Sequence, residues 1–267
     1  MNATEQPQFD SASQLREAIR RGDFTGPTSG HAPGYVQTNL VILPERDAEH
    51  FAEFCRQNAR PCPLIAQTKP GDPNPPSAAA GADLRTDVPR YRVFLHGKLQ
   101  AAEPTEIREL WRDDFVAFLL GCSFTFESAL LKAGLPVRHV EEGRNVPMYQ
   151  TNLPCTPAGP FAGDMVVSMR PFASDQVSLV REITGHYPEM HGEPIHVGDP
   201  AQIGIDDLTQ PDFGEAVTVR EGEVPVFWAC GVTPQLALLN ARCRWAITHS
   251  PGCMFVTDLQ DEAYYVP

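Results

Sequence analysis

Proline and glycine set the first limit on what this chain can become. Of its 267 residues, 26 are Pro and 20 are Gly. Proline ends helices and donates nothing to a sheet ladder, and glycine marks tight turns. A chain interrupted this often folds as many short elements joined by specified turns, which argues against a helical bundle. The rest of the composition allows a real core. Hydrophobic residues are 42% and charged residues 21%, ordinary globular values for one large domain or two small ones. Lys+Arg number 21 against 34 Asp+Glu, leaving a net charge of −13. That sign disfavours a phosphate backbone, so no nucleic-acid partner is expected. The sequence has no apolar run of about 18 residues, so no membrane span is expected. Residues 1–10 are polar and lack the features of a secretory signal. Seven cysteines, an odd number without a CxxC, read as reduced thiols in a cytoplasmic protein.

Periodicity predicts helices over 13–21, 47–58, 105–120, 123–132, 177–184 and 235–242. The 105–120 helix rests on Ile107, Leu110, Trp111, Phe115, Phe118 and Leu119 sharing one face. Strands are expected at 36–43, 64–68, 91–95, 137–140, 165–169, 195–197, 216–219, 226–230, 245–248 and 254–257. Residues 69–82 hold four prolines, two glycines and an alanine run, and read as a long surface loop. The fold class is therefore α/β. The expectation is a mixed sheet with helices on both faces, plus a smaller strand-rich inserted subdomain. A flexible tail (1–12) precedes a discontinuous main subdomain (13–133 and 226–267), and the insertion is 134–225.

Five constellations could carry chemistry. In Gly121-Cys122-Ser123-Phe124-Thr125-Phe126-Glu127 a helix is expected to end, a sharp turn to follow and another helix to begin. Free N–H groups there would suit a substrate carboxylate, and they would lower the pKa of Cys122. The plainer reading is a joint with a buried thiol and a capping Ser123 or Thr125. Residues 226–234 form a strand–turn–helix with Cys230-Gly231 at the turn, where ligands of α/β sheets bind. A tight core turn fits equally well. In the segment from Arg138 to Tyr149, strand alternation would put His139 and Glu141 on one face as an acid/base pair. Arg138 and Arg144 would be carboxylate clamps, unless the segment is an exposed hairpin with ordinary ion pairs. His186, His191 and His196 recur at five-residue spacing near Asp199. The spacing matches no common metal motif, so His191 or His196 reads better as a proton carrier than as a ligand. Last, Thr248-His249-Ser250-Pro251-Gly252 ends a strand with one imidazole, a credible base or a capped turn.

Taken together, several blocks resemble one family, the hydro-lyases also called the D-glutamate cyclase family. The blocks are Gln37-Thr38-Asn39-Leu40, Pro61-Cys62-Pro63-Leu64, Leu84-Arg85-Thr86-Asp87-Val88-Pro89, Gly121-Cys122-Ser123-Phe124 with Phe126-Glu127, and Arg138-His139. They continue with Asn145-Val146-Pro147-Met148-Tyr149, Val167-Ser168-Met169-Arg170-Pro171, His191-Gly192, Gly198-Asp199-Pro200 and Gly204-Ile205. The strongest runs from Val224 to Gln235. The resemblance covers nearly everything after residue 30.

The resemblance implies an α/β fold with a smaller inserted subdomain, and carbon–oxygen lyase chemistry on a small carboxylic or amino acid. Dehydration of the D-glutamate to 5-oxoproline type is the leading case. Arg85, Arg138 or Arg170 would hold the carboxylate, with Ser123, Asn145, Tyr149 and Asp199 as further substrate contacts. His139, His191, His196 and His249 are the acid/base candidates, with Glu141 beside them. Cys122 and Cys230 would line the pocket, or one would act as nucleophile. Where this chain has Cys253, many relatives carry histidine, so His249 would act alone in its turn. No cofactor is expected, metal through the three spaced histidines being the outside option. The expected partner is a small carboxylate-bearing metabolite, with a homo-oligomer in view. The rival reading is a metabolite-binding module without turnover.

Overall fold

A computed structural model describes residues 9–267. Of the tail expected over 1–12, residues 1–8 lie outside the described ones, and Ala12 already opens a helix. The elements are α1 (Ala12–Arg20), β1 (Tyr35–Pro44), α2 (Glu45–Gln57), β2 (Leu64–Gln67), β3 (Tyr91–Leu95), β4 (Lys98–Leu99) and β5 (Phe115–Leu120). Then come α3 (Phe124–Lys132), α4 (Arg138–Glu141), β6 (Met148–Pro154), β7 (Asp164–Ala173), α5 (Val177–Gly185) and β8 (His196–Val197). The chain closes with β9 (Glu223–Ala229), α6 (Thr233–Ala241), β10 (Trp245–His249) and β11 (Phe255–Gln260). No helix among the described residues is long and apolar enough to cross a membrane.

Two sheets organise these elements. The larger runs β2-β5-β1-β10-β3-β4, with β11 also paired to β1; the smaller runs β6-β7-β9-β8. The α/β class stands. Every recorded pairing is antiparallel, so the mixture is one of helices and strands rather than of strand directions. The smaller sheet takes its strands from the middle of the sequence and also claims β9. Residues 226–229, assigned by sequence to the main subdomain, therefore pair with β7.

The larger sheet is buried on both faces, and its strands alternate between two cores. From β1, Val41 and Leu43 enter one core while Leu40 and Ile42 enter the other. From β5, Val116, Phe118 and Leu120 join the first and Phe115, Ala117 and Leu119 the second. The first core is closed by α2 (Phe51, Phe54, Cys55) and α6 (Ala237, Leu238). Phe118 and Phe161 both pack edge-on against Phe51 there, with centroids 4.9 and 5.3 Å away. The second core is closed by Ala78, Ala79, Ala82, Leu84 and Val88. The proline-rich stretch is a loop as read, with Lys69, Pro70, Asn74, Pro76, Ser77, Ala80 and Gly81 exposed, but it is anchored, because Ala78, Ala79 and Ala82 enter this core. A third core, where the sheets meet α3 and α5, holds Val36, Phe126, Phe172, Val180 and Trp228.

The helix expected over 105–120 does not form. The segment holds a short 3-10 turn (Arg108–Leu110) and then β5. A strand with both faces covered shows no period-2 alternation, and its continuous apolar run imitates a helix face. Conversely, 137–140 is not a strand: Arg138–Glu141 is the single-turn helix α4. Residues 216–219 form no strand.

Candidate functional site

The ends of β5, β9 and β10 and the middle of β1 converge on one buried polar group. Antiparallel register sets Asn39 of β1 opposite Leu120, the last residue of β5. The chain then turns through Gly121-Cys122-Ser123 into α3. On the second sheet, β9 ends at Ala229 and turns through Cys230-Gly231 into α6, where Pro234 sits in the first turn, a favoured place for a residue without an N–H. Both turns press on the Asn39 amide. Its Nδ2 donates to the Gly121 carbonyl at 3.1 Å. A Cβ at Gly231 would lie 2.4 Å from that same Nδ2, so only glycine fits there. A Cβ at Gly121 would meet the Glu189 carbonyl at 2.7 Å and the Met190 sulfur at 2.8 Å. Two helix N-termini, each preceded by a cysteine, are thereby gathered around one amide.

Behind them lies a buried charge relay. Arg170 of β7 is wholly buried. It donates from Nε to Glu127 Oε1 at 2.9 Å, from Nη1 to Ser168 Oγ at 2.9 Å and from Nη2 to Ser123 Oγ at 2.9 Å. Nη2 also bonds to Glu127 Oε1. The rings of Phe126 and Trp228 lie over the guanidinium at 5.2 and 5.3 Å, a cation–π seat. The other oxygen, Glu127 Oε2, faces His139 Nε2 at 3.5 Å. Burial would raise the Glu127 carboxyl, but Arg170 and His139 outweigh it and hold it down at about 2. Glu127 is thus an anion at neutral pH. An anion beside Nε2 selects the tautomer with hydrogen on that nitrogen. His139 Nδ1 is buried and has no hydrogen-bond partner.

The two thiols differ from the sequence expectation. Burial pushes Cys122 up to about 12, although the Phe124 N–H works against this. Burial likewise pushes Cys230 up to about 11, opposed by the Val232 N–H. Both side chains are partly exposed all the same. The lowered pKa expected at Cys122 is therefore overturned: desolvation exceeds the help of one helix terminus. Both groups are neutral thiols at pH 7, which makes them poor nucleophiles. Ser123, expected as a cap, makes no side-chain cap bond, because Arg170 holds its hydroxyl.

The remaining histidines separate. His249 is buried at the end of β10, its Nε2 2.9 Å from Asn39 Oδ1 and its Nδ1 2.9 Å from the Ser250 carbonyl. His191 is buried behind Gly121, with Nδ1 2.7 Å from the Arg60 carbonyl. Burial lowers both rings to about 4. His196 lies outside the group, its Nε2 2.7 Å from the Asp199 carbonyl. His186 bonds to the Val266 carbonyl at 2.6 Å. The spaced histidines thus diverge, and no cluster of three His, Cys, Asp or Glu among the described residues could hold a metal ion.

Several expected contacts are engaged elsewhere. Arg138 is buried on Glu141 (3.0 Å), the Thr218 carbonyl (2.9 Å) and Glu223 (2.5 Å). It staples α4 to the second sheet and is not free to clamp a substrate. Glu141 points outward and does not share a face with His139, because the segment is helical. Arg85 pairs with Asp83 at 2.8 Å. Arg170 anchors Glu127 and Ser123 instead of meeting solvent. Tyr149 donates to the Leu208 carbonyl at 2.7 Å, Asn145 is exposed, and Asp199 caps the turn at Ala201 at 3.1 Å.

Sequence reasoning assigned no role to Glu127 or Asn39. Each left a signal. Glu127 falls four residues after Ser123, so one helix face carries both to Arg170. Asn39 is an amide inside an otherwise apolar, doubly buried strand, where a polar group must find a partner.

Comparison with known proteins agrees with the sequence blocks. The D-glutamate cyclase family model matches residues 116–258, a span that includes every residue of this group except Asn39. A protein of Rubrobacter xylanophilus named "Putative hydro-lyase" is 60% identical over 255 residues, covering 96% of this chain and 98% of its own. One of the same name from Stutzerimonas stutzeri is 56% identical, covering 94% and 95%. Among solved structures, a nitrogen repressor-like protein from Methanococcus jannaschii aligns over 89% of this chain and 92% of its own, at TM-score 0.38 and 9% identity. That match is too distant to carry an argument.

Proposed function

The chain belongs to the D-glutamate cyclase family, and on that premise we propose that it is a hydro-lyase removing water from a small carboxylic or amino acid, with closure of D-glutamate to 5-oxoproline as the leading reaction. The observation that carries this reading is His139: a buried imidazole with Nε2 on an ionised carboxylate and Nδ1 unpartnered. That is the arrangement of a general base oriented by an acid.

In the closure, the amine nitrogen forms a bond to the side-chain carboxyl carbon and one carbon–oxygen bond breaks. Two protons leave the ammonium and depart with the oxygen as water, so charge and atoms balance. His139 Nδ1 takes the two protons of the attacking nitrogen in turn, one before the carbon–nitrogen bond forms and one after. Each is handed from the imidazolium to the thiol, Cys122 or Cys230, that has protonated the departing oxygen. The opening N–H groups of α3 and α6 hold the anionic end of the substrate. Arg170 acts indirectly, by fixing Glu127 and Ser123.

The test is a proton NMR time course in D₂O with the full-length protein, D-glutamate, 5-oxoproline and a panel of small 2-hydroxy acids. New lactam or alkene signals support a hydro-lyase and name its substrate class. Ligand line-broadening without any new signal supports a binding module instead.

A further inference from the structure

We propose that His249 takes up a proton when a carboxylate ligand enters between the two turns, and that Asn39 carries this change to them. The inference rests on the reading of the Cys122 and Cys230 turns as the substrate site.

Too few hydrogens are present along one buried chain of contacts. One end is the Gly121 carbonyl and the other is the Ser250 carbonyl, and both can only accept. Asn39 and His249 lie between. The Asn39 atom 3.1 Å from the Gly121 carbonyl must be the donor Nδ2, because a reversed amide would set two acceptors face to face. Oδ1 is thereby turned to His249 Nε2 at 2.9 Å, and this contact needs a hydrogen on Nε2. The contact of Nδ1 with the Ser250 carbonyl at 2.9 Å needs a second. A neutral ring has one. For the two short contacts, with Asn39 Oδ1 and the Ser250 carbonyl, the chain is one proton short whichever tautomer forms, and the imidazolium serves both. The longer approach of Gln235 Nε2, at 3.5 Å, is a donor that favours a bare Nε2 and so helps keep the free ring neutral.

The surroundings keep that proton off in the free protein. The ring is 3% exposed, and burial opposes charge. Arg92, across the β3–β10 pairing, opposes it too, although Glu103 pairs with Arg92 at 2.8 Å. From β1 the ring meets the uncharged Asn39, and from α6 the uncharged Gln235, 3.5 Å from Nε2. An anion at the turns changes this balance. It supplies the missing negative charge, and Asn39 touches both turns, at the Gly121 carbonyl and against Gly231. His249 is thus a positioning residue with a titratable charge, distinct from the base His139.

The test uses full-length protein with D-glutamate as the probe. Isothermal titration calorimetry in buffers of different ionisation heat counts the protons taken up at pH 5.5, where a ring held near 4 is neutral in the free protein. The wild type is expected to take up about half a proton per bound ligand, for a ring raised by about 1.5 pH units. H249Q keeps an Nε2–H for Asn39 but cannot titrate, and is expected to bind with that uptake abolished. Equal uptake in wild type and H249Q, or none in wild type, overturns the proposal. The ligand-free protein provides an independent arm. In ¹⁵N NMR, charging of His249 is expected to bring both ring nitrogens to imidazolium shifts together, with a lower midpoint in N39A. An unmoved midpoint in N39A overturns the proposal. Failure of D-glutamate to bind, with the N39A shift present, counts against the substrate reading and leaves the hydrogen count standing.

Discussion

Glu127 and Arg170 form an ion pair in which the arginine side chain has no exposed surface and the glutamate side chain is 8% exposed. The pair is held on two nitrogens and seated between aromatic rings. Breaking one half leaves the other charge buried alone, which costs on the order of 3–5 kcal/mol. E127Q is therefore expected to lower the unfolding free energy measured in urea by that amount, since Arg170 stays behind with no counter-charge. An unfolding free energy within about 1 kcal/mol of wild type contradicts the burial of this pair.

Acid is expected to destabilise the protein in two stages. His191 and His249 titrate near 4 when folded, against 6.5 ordinarily. Between those values the unfolded chain binds more protons, so stability falls as pH falls. Their contribution is complete above pH 6.5 and gone near pH 4, on the order of 3 kcal/mol each. Glu127 follows below its ordinary 4.5, down to about 2. Urea unfolding between pH 7 and 4 checks the first stage; a flat midpoint across that range contradicts it.

The site thiols are expected to be slow nucleophiles. With Cys122 raised to about 12 and Cys230 to about 11, little thiolate exists at pH 7.5. From thiolate fraction alone, iodoacetamide should label Cys230 roughly 300-fold and Cys122 roughly 3000-fold more slowly than free cysteine, the rate still climbing through pH 9. Peptide mapping of a labelling time course reads this directly. Rapid labelling at pH 7.5 would restore the nucleophile reading.

Gly231 is required by contact rather than by backbone strain. In G231A the new methyl meets the Asn39 amide 2.4 Å away, so Asn39 must leave Gly121 or the β9–α6 turn must shift. Destabilisation of about 1–3 kcal/mol is expected from overpacking, together with loss of the Asn39 side-chain amide resonances from their wild-type positions. Unchanged resonances contradict the close approach.

How far the sequence could be read follows from which signals are local. The turn at Gly121-Cys122 and the strand–turn–helix at Cys230-Gly231 announce themselves by glycine, proline and an apolar run, and both lie in the buried group. Phe115–Leu120 could not be read this way, because a strand covered on both faces carries no alternation. The sequence pattern puts His139 on a strand face shared with Glu141. It enters the site from a helix turn, next to Glu127, a partner twelve positions away in sequence. Arg138 shows the converse: a carboxylate-clamp residue type whose donors meet Glu141, Glu223 and a carbonyl. Residue type alone does not tell a free arginine from a stapled one. Long-range partners decide that, and local pattern does not encode them.

The central claim is that His139 is the base of a dehydration site, and its direct test is the rate of lactam formation from D-glutamate in wild type, H139A and H139Q. Single-turnover NMR is expected to show a loss of about 100-fold or more in both variants, with folding confirmed by an unchanged Arg170 side-chain resonance. Turnover at the wild-type rate in folded H139A would contradict the account.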